Sequence, residues 1–225
     1  MRKILFILVL IFFANCSEHK KKTKNENNTV EIASEETILL LYNKEVGTKT
    51  ISELKSHLQN AFKDYKIVTK EAKTLPKSLR SAMRPERFRA DSILRYLNSN
   101  FDGQALKVIL ITDKGISCTK YSTIDGEKKV KEPKWKYLDW GIFGLGACPG
   151  YTCVVSTKFL WARNANQKTF MQRLKNISVH ELGHTFGLPH CPIEKCVMND
   201  ANETIVTIDK STGLFCAKCV YNLPL

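Results

Sequence analysis

The sequence predicts an α/β (α+β) layer followed by a small, irregular C-terminal part. Three observations predict it. Short apolar runs alternate with stretches of helical periodicity between residues 37 and 186. The longest helical stretch, 166–186, comes last. Beyond it the chain reads as loop and is punctuated by paired cysteines.

Each element has its own signal. Thr37 to Tyr42 (TILLLY) is a short apolar run bounded by polar residues, which reads as a buried strand. Ile51, Leu54, Leu58, Ala61, Phe62 and Tyr65 recur at helical spacing. Residues 65–69 (YKIVT) alternate as a strand does. Phe88, Ile93, Leu94 and Leu97 mark one face of a second helix. Residues 106–112 (LKVILIT) are the strongest strand signal, ended by Asp113-Lys114-Gly115. The polar stretch 122–136 reads as loop, and the glycine-rich stretch 142–150 as turn. Residues 151–157 (YTCVVST) predict another strand. Phe170, Leu174, Ile177, Glu181 and His184 then lie along one stripe of the last helix.

The N-terminus is of a different kind. Arg2 and Lys3 precede ten unbroken apolar residues, 4–13, which are too few to span a bilayer as a helix. A charged start, a short apolar run and small residues read as an export signal over 1–15. Cys16 follows directly, as in a bacterial lipoprotein signal, where that cysteine is lipidated; simple secretion is the rival. Residues 16–36 are then a polar linker and 37–225 the folded domain. The implied location is exported and membrane-anchored, in the periplasm or at the cell surface.

The charge of +13 first suggests an acidic partner. The signal holds Arg2 and Lys3, and residues 17–24 hold four lysines against Glu18, which leaves +8 for the remainder. Part of the basicity is thus a tether suited to an anionic lipid surface. No basic helix interleaved with aromatics supports nucleic-acid binding. A monomer is expected.

The chemistry lies in residues 180–190, His-Glu-Leu-Gly-His-Thr-Phe-Gly-Leu-Pro-His. On a helix His180 and His184 stand one turn apart on one face, so both imidazoles reach one zinc ion. Glu181 projects toward the open side of the metal, where it can take a proton from water. Gly187 can adopt positive φ and end the helix sharply, and Pro189 holds Leu188 extended. The chain then returns His190 as a third ligand. Three histidines and one open position make a catalytic zinc geometry. His19 and His57 fall outside the pattern.

The cysteines add a second constellation. Cys191 and Cys196 form one close pair, Cys216 and Cys219 another, about twenty residues on. That spacing suits a tetrahedral structural zinc, while export makes two disulfides the competing reading. Cys148 and Cys153 are close enough for a local disulfide, and Cys118 reads as a buried thiol.

From His180 to Cys219 the chain reads H-E-x-x-H-x-x-G-x-x-H-C-x4-C-x-M-x17-C-x-x-C. This closely resembles the archaemetzincins, a branch of the metzincin zinc peptidases. Phe143-Gly144, Pro149-Gly150 and residues 154–157 resemble the segment ahead of that family's active-site helix. The resemblance implies a metzincin-like zincin: a twisted mixed sheet, an active-site helix and a small C-terminal subdomain with a structural zinc. It implies two zinc ions per chain. His180, His184 and His190 would hold the catalytic one, and Cys191, Cys196, Cys216 and Cys219 the structural one. Glu181 would be the general base and acid, and Met198 the methionine of the turn beneath the metal. Strand 151–157 would border a cleft that takes a peptide or protein substrate. The rival expectation is a catalytically silent zinc-binding scaffold with the same fold.

Overall fold

The computed structural model describes residues 36–124, 126–201 and 204–223. The expected export signal, the expected lipidation site Cys16 and the expected linker up to residue 35 lie outside the described residues. No helix among the described residues is long and apolar enough to cross a membrane.

In chain order the elements are β1 (Thr37–Tyr42), α1 (Thr48–Ala61), β2 (Lys66–Glu71), β3 (Arg87–Arg89), α2 (Ala90–Phe101), β4 (Lys107–Thr112), β5 (Gly115–Cys118), β6 (Tyr121–Ile124), β7 (Glu127–Val130), α3 (Lys134–Tyr137), β8 (Trp140–Ile142), β9 (Gly144–Gly146), β10 (Thr152–Ser156), α4 (Gln167–Thr185), α5 (Ile205–Lys210) and α6 (Ala217–Tyr221).

The main sheet runs β2-β1-β4-β10-β9. Its first four strands are parallel, and β9 pairs antiparallel to β10. Parallel strands are covered on both faces, which is why β1 and β4 read as unbroken apolar runs. Alternate residues divide between the two faces. Ile38, Leu40, Ile109, Ile111, Cys153 and Val155 share one core with α1 and α4. Leu39, Leu41, Val108, Leu110 and Val154 share the other with α2. Helix α1 docks through Ile51, Leu54 and Leu58, and α2 through Ala90, Ile93 and Leu97. Each such large side chain contributes about 1.5–3 kcal/mol on burial. A smaller sheet, β3-β5-β8, stands beside this layer.

Three expectations are corrected. The predicted loop at 122–136 contains a hairpin, β6 with β7, and the short helix α3. Its strands are largely exposed, so they carry little apolar signal, and Lys128 lies over the Tyr121 ring at 4.5 Å. The glycine-rich stretch 142–150 contains the edge strand β9, so the predicted strand at 151–157 is interior and β9 takes the sheet's margin. The tail beyond α4 carries two short helices, α5 and α6. Thr204 caps α5 by accepting from Val206 N–H.

Candidate metal centres and active-site cleft

Helix α4 carries the centre, and both of its ends are built locally. Asn166 caps the start, its side-chain oxygen accepting from Thr169 N–H at 2.9 Å. At the other end Gly187 has φ +92°. Leu188 N–H donates to Gly183 O, and Gly187 N–H donates to His184 O. That pair of bonds around a left-handed glycine is a Schellman ending. Lys107 Nζ donates to Thr185 O at 2.9 Å, satisfying a further terminal carbonyl.

This ending sets the histidines. His184 Nδ1–H donates to Leu188 O at 2.8 Å, and His180 Nδ1–H donates to Val197 O at 2.7 Å. A carbonyl only accepts, so each Nδ1 holds the proton and each Nε2 keeps its lone pair. The two Nε2 atoms lie 3.0 Å apart. Beyond the Schellman turn His190 comes back, its ring centroid 5.3 Å from that of His180 and 4.9 Å from that of His184. One nitrogen of each of the three lies within 4.8 Å of the others. Zinc–nitrogen bonds of about 2.05 Å give a tetrahedral edge of about 3.3 Å, so the trio fits one zinc ion with its fourth position free. Burial, then the neighbouring His184, lowers His180 to about 4, which keeps the ring neutral and able to ligate at ordinary pH. Asp200 places a carboxylate oxygen 3.6 Å from His190 Nδ1.

Glu181 is buried beside this trio and faces β9. Burial pushes its carboxyl up to about 8, opposed by the Gly146 backbone N–H. A Cβ on Gly144 would lie 2.6 Å from Glu181 Oε1, and one on Gly146 2.5 Å from the Glu181 carbonyl. The edge strand therefore approaches α4 more closely than any side chain permits. Met198 is fully buried, and its sulfur fills the space a Cβ on Gly183 would need.

The four cysteines also meet. Cys191 and Cys216 sulfurs are 3.8 Å apart, Cys196 and Cys219 sulfurs 3.7 Å, and all four fall within 4.8 Å. A disulfide needs about 2.05 Å. Zinc–sulfur bonds of about 2.3 Å give a tetrahedral edge of about 3.8 Å, so the cluster has the dimensions of a zinc site and not of two disulfides. The Cys219 backbone N–H pulls the Cys216 thiol down to about 7, while burial pushes Cys196 and Cys219 up. No bond joins Cys148 to Cys153. Cys153 is buried within the sheet, whereas Cys148 is exposed in the turn before β10. Cys118 is only partly buried.

His180, His190 and Glu181 line a cleft of about 780 Å³, bounded by β8, β9, α4 and the segment 190–211. Every site residue singled out from residue 180 onward thus converges. Sequence reasoning missed Gly144 and Gly146 as spacers for Glu181; the signals for them are two glycines two residues apart and the family resemblance at Phe143-Gly144. It also missed Arg173, which is buried in α4. Arg173 donates to both carboxylate oxygens of Asp209 at 2.6 and 2.8 Å and to the Leu160 and Ala162 carbonyls.

Comparison places this architecture among known proteins. A sequence model described as peptidase family M54 matches residues 36–224. An archaemetzincin of Methanopyrus kandleri is 37% identical over 78 residues, 35% of this chain and 43% of that one, so this match spans less than half of that relative. An archaemetzincin of Saccharolobus islandicus is 26% identical over 194 residues, 84% of this chain and 94% of its own length. The crystal structure of archaemetzincin from Methanopyrus kandleri superposes with a TM-score of 0.63 at 25% identity, covering 83% of this chain and 93% of that one. The archaemetzincin from Archaeoglobus fulgidus, complexed with malonate, gives a TM-score of 0.63 at 22% identity over 83% of this chain and 99% of its own.

Proposed function

The chain belongs to peptidase family M54, the archaemetzincins, and on that premise we propose that it hydrolyses peptide bonds at the three-histidine centre. The observation that carries the reading is the buried Glu181 carboxyl beside three converging histidines, two of which, His180 and His184, have their Nδ1 protons engaged by backbone carbonyls.

Two zinc ions are proposed for each chain. His180, His184 and His190 would hold one, and Cys191, Cys196, Cys216 and Cys219 the other. Zinc at the histidines supplies Lewis acidity that polarises a carbonyl and acidifies water. Glu181 takes the proton from the attacking water and returns it to the leaving amine. Its high pKa in the absence of positive charge is the signature of a dry site, and a cation nearby brings it toward neutrality, where a base works best. The edge strand β9 offers backbone groups to an extended peptide, which the cleft then holds along α4. Met198 supports α4 from below through Gly183. The cysteine site is structural: it has four protein ligands and no open position.

Export with a lipid on Cys16 is part of the same proposal. It rests on the apolar run 4–13 and the cysteine after it. Replacing Cys16 by Ser should move the protein from the membrane fraction to the soluble one.

Glu181→Gln tests the mechanism. Turnover of a panel of quenched fluorescent peptides should vanish, with zinc content unchanged. Full activity in that variant would reject Glu181 as the base. No zinc-dependent cleavage by the wild-type protein would favour a silent scaffold.

A further inference from the structure

The cleft has a one-sided charge. The lining contributed by the smaller sheet and the segments flanking it holds Arg84, Arg87, Lys120, Lys136 and Arg163 against a single carboxylate, Asp139. Asp139 is buried, and one of its oxygens accepts from Ser81 Oγ–H at 2.7 Å. The lining from residues 194–211 is balanced, with Glu194 and Asp200 against Lys195 and Lys210.

Arg87 is the ordered member of this set. It pairs in β3 with Gly115 of β5. A Cβ on Gly115 would touch Arg87 Cγ at 3.5 Å, and one on Gly141 of β8 would lie 3.3 Å from its Nη1. Two glycines thus form the slot in which the arginine crosses the sheet. Nη1 donates to the Asp139 backbone carbonyl at 3.2 Å, and the guanidinium stands 5.9 Å from the Phe159 ring centroid. Among the described residues no carboxylate lies within ion-pairing distance of Arg87. A fixed, half-buried guanidinium whose only hydrogen-bond partner among the described residues is a neutral acceptor is an unspent carboxylate site. Its position sets the reach. Gly141 is three residues from Gly144, where a Cβ would touch Glu181, so the Cα atoms of these two glycines are no more than about 11 Å apart. An extended substrate covers that distance in about three residues.

We propose that this cleft selects acidic peptide segments, with Arg87 receiving a substrate carboxylate within about three residues of the scissile bond and the surrounding cations steering it in. The proposal rests on the peptidase reading and deepens it. The carboxylate comes from an Asp or Glu side chain or from a peptide C-terminus; both offer the same planar acceptor to the guanidinium.

The test uses quenched fluorescent decapeptides of one host sequence that carry Asp, Asn or Lys at single positions, each with a free and an amidated C-terminus. The quantity compared is the ratio of kcat/KM for the Asp peptide to that for the Asn peptide, so a general loss of folded enzyme cancels. In the wild-type protein this ratio should be roughly tenfold or more at one or two positions, the scale of a charge-assisted hydrogen bond. Arg87→Ala should bring it close to one, Arg87→Lys should restore part of it, and Arg87→Glu should favour the Lys peptide. Preference for the free over the amidated terminus, lost in Arg87→Ala, would identify the C-terminal carboxylate as the source. Equal cleavage of Asp and Asn peptides, preference for Lys, or an unchanged ratio in Arg87→Ala overturns the proposal. Binding of the same peptides to Glu181→Gln, read by fluorescence anisotropy, separates the two readings. An Arg87-dependent preference for Asp without any cleavage by the wild type would sink the peptidase reading and keep the charge selection.

Discussion

Glu181 Oε1 lies 2.6 Å from the point where a Cβ on Gly144 would stand. Gly144→Ala must therefore displace the carboxyl or the edge strand. The Glu181 side chain, not its backbone, meets the new methyl, so the histidines should keep their places. We expect kcat to fall on the order of 100-fold, the usual cost of misplacing a catalytic group by about 1 Å, with zinc content near wild type. Gly146→Ala gives the contrast, because its Cβ would meet the Glu181 carbonyl at 2.5 Å and His184 Cβ at 3.1 Å. That substitution moves the helix itself and should lower zinc occupancy as well as rate. Equal effects on zinc in the two variants would reject this division.

Arg173 ties the C-terminal part to α4. Its guanidinium is buried, and it serves Asp209 on α5 and two carbonyls of the turn at 160–162 together. Arg173→Met keeps the stem and removes every one of these bonds. Asp209 is partly exposed and can recover water, so the loss should stay near the lower end for a buried ion pair, about 2–4 kcal/mol. Urea unfolding of the zinc-loaded protein measures it. A change under about 0.5 kcal/mol, the scale of a surface substitution, would show that α5 is held by other contacts.

The legible and illegible parts of this chain differ in range. His180, His184 and Gly187 were readable because their geometry follows from helix pitch and one left-handed turn. The strands β1 and β4 were readable because burial on both faces leaves no polar alternation. Gly144 and Gly146 fall in a stretch that reads as turn, since the demand for glycine comes from α4 more than thirty residues on. Arg173 was invisible for the same reason: its acceptors are distant in sequence and two of them are backbone. The β6–β7 hairpin lacks an apolar face, so periodicity had nothing to report. The spacing of the four cysteines suits zinc or two disulfides alike, and only the sulfur separations of 3.8 and 3.7 Å favour zinc.

The titration of the histidine centre makes a further prediction, for protein stripped of metal at that centre. Burial raises Glu181 from 4.5 to about 8, so between those values the native state holds a proton the unfolded chain lacks. Stability from this group therefore falls as pH rises through that window. Burial lowers His180 from 6.5 to about 4, which works the other way: stability rises with pH between those values. Below pH 6.5 the two oppose each other, with the lowered His184 on the side of His180; above it Glu181 is opposed by the Cys216 thiol, which is lowered to about 7 and adds stability as pH rises. The Glu181 contribution, read as the difference between the stripped wild type and Glu181→Gln, should thus drop by up to about 2 kcal/mol from pH 6.5 to 8. Glu181→Gln should remove that drop, and so should zinc, whose charge favours the ionised carboxylate. The same pH dependence in the stripped wild type and in stripped Glu181→Gln over this range would reject the assignment.

One three-residue segment joins the histidine trio to the cysteine cluster. Cys196 belongs to the sulfur cluster, the Val197 carbonyl accepts from His180 Nδ1, and Met198 packs under Gly183. The Met198 carbonyl in turn accepts from Cys191 N–H at 2.8 Å, closing the segment back on the cysteines. The orientation of His180 thus depends on a loop whose shape the cysteine cluster holds. Cys219→Ser, which touches no histidine, should weaken zinc binding at the histidine centre by about 10–100-fold, the range found when a ligand loses its supporting hydrogen bond. Adding free zinc should restore much of the activity, because the ligands themselves remain. Competition with a chromophoric chelator measures the affinity, with metal counted per chain beforehand. An unchanged affinity at the histidines in a chain that has lost its cysteine-bound zinc would show that Val197 is held by the fold alone, through the bond its own N–H donates to the Leu214 carbonyl at 2.9 Å.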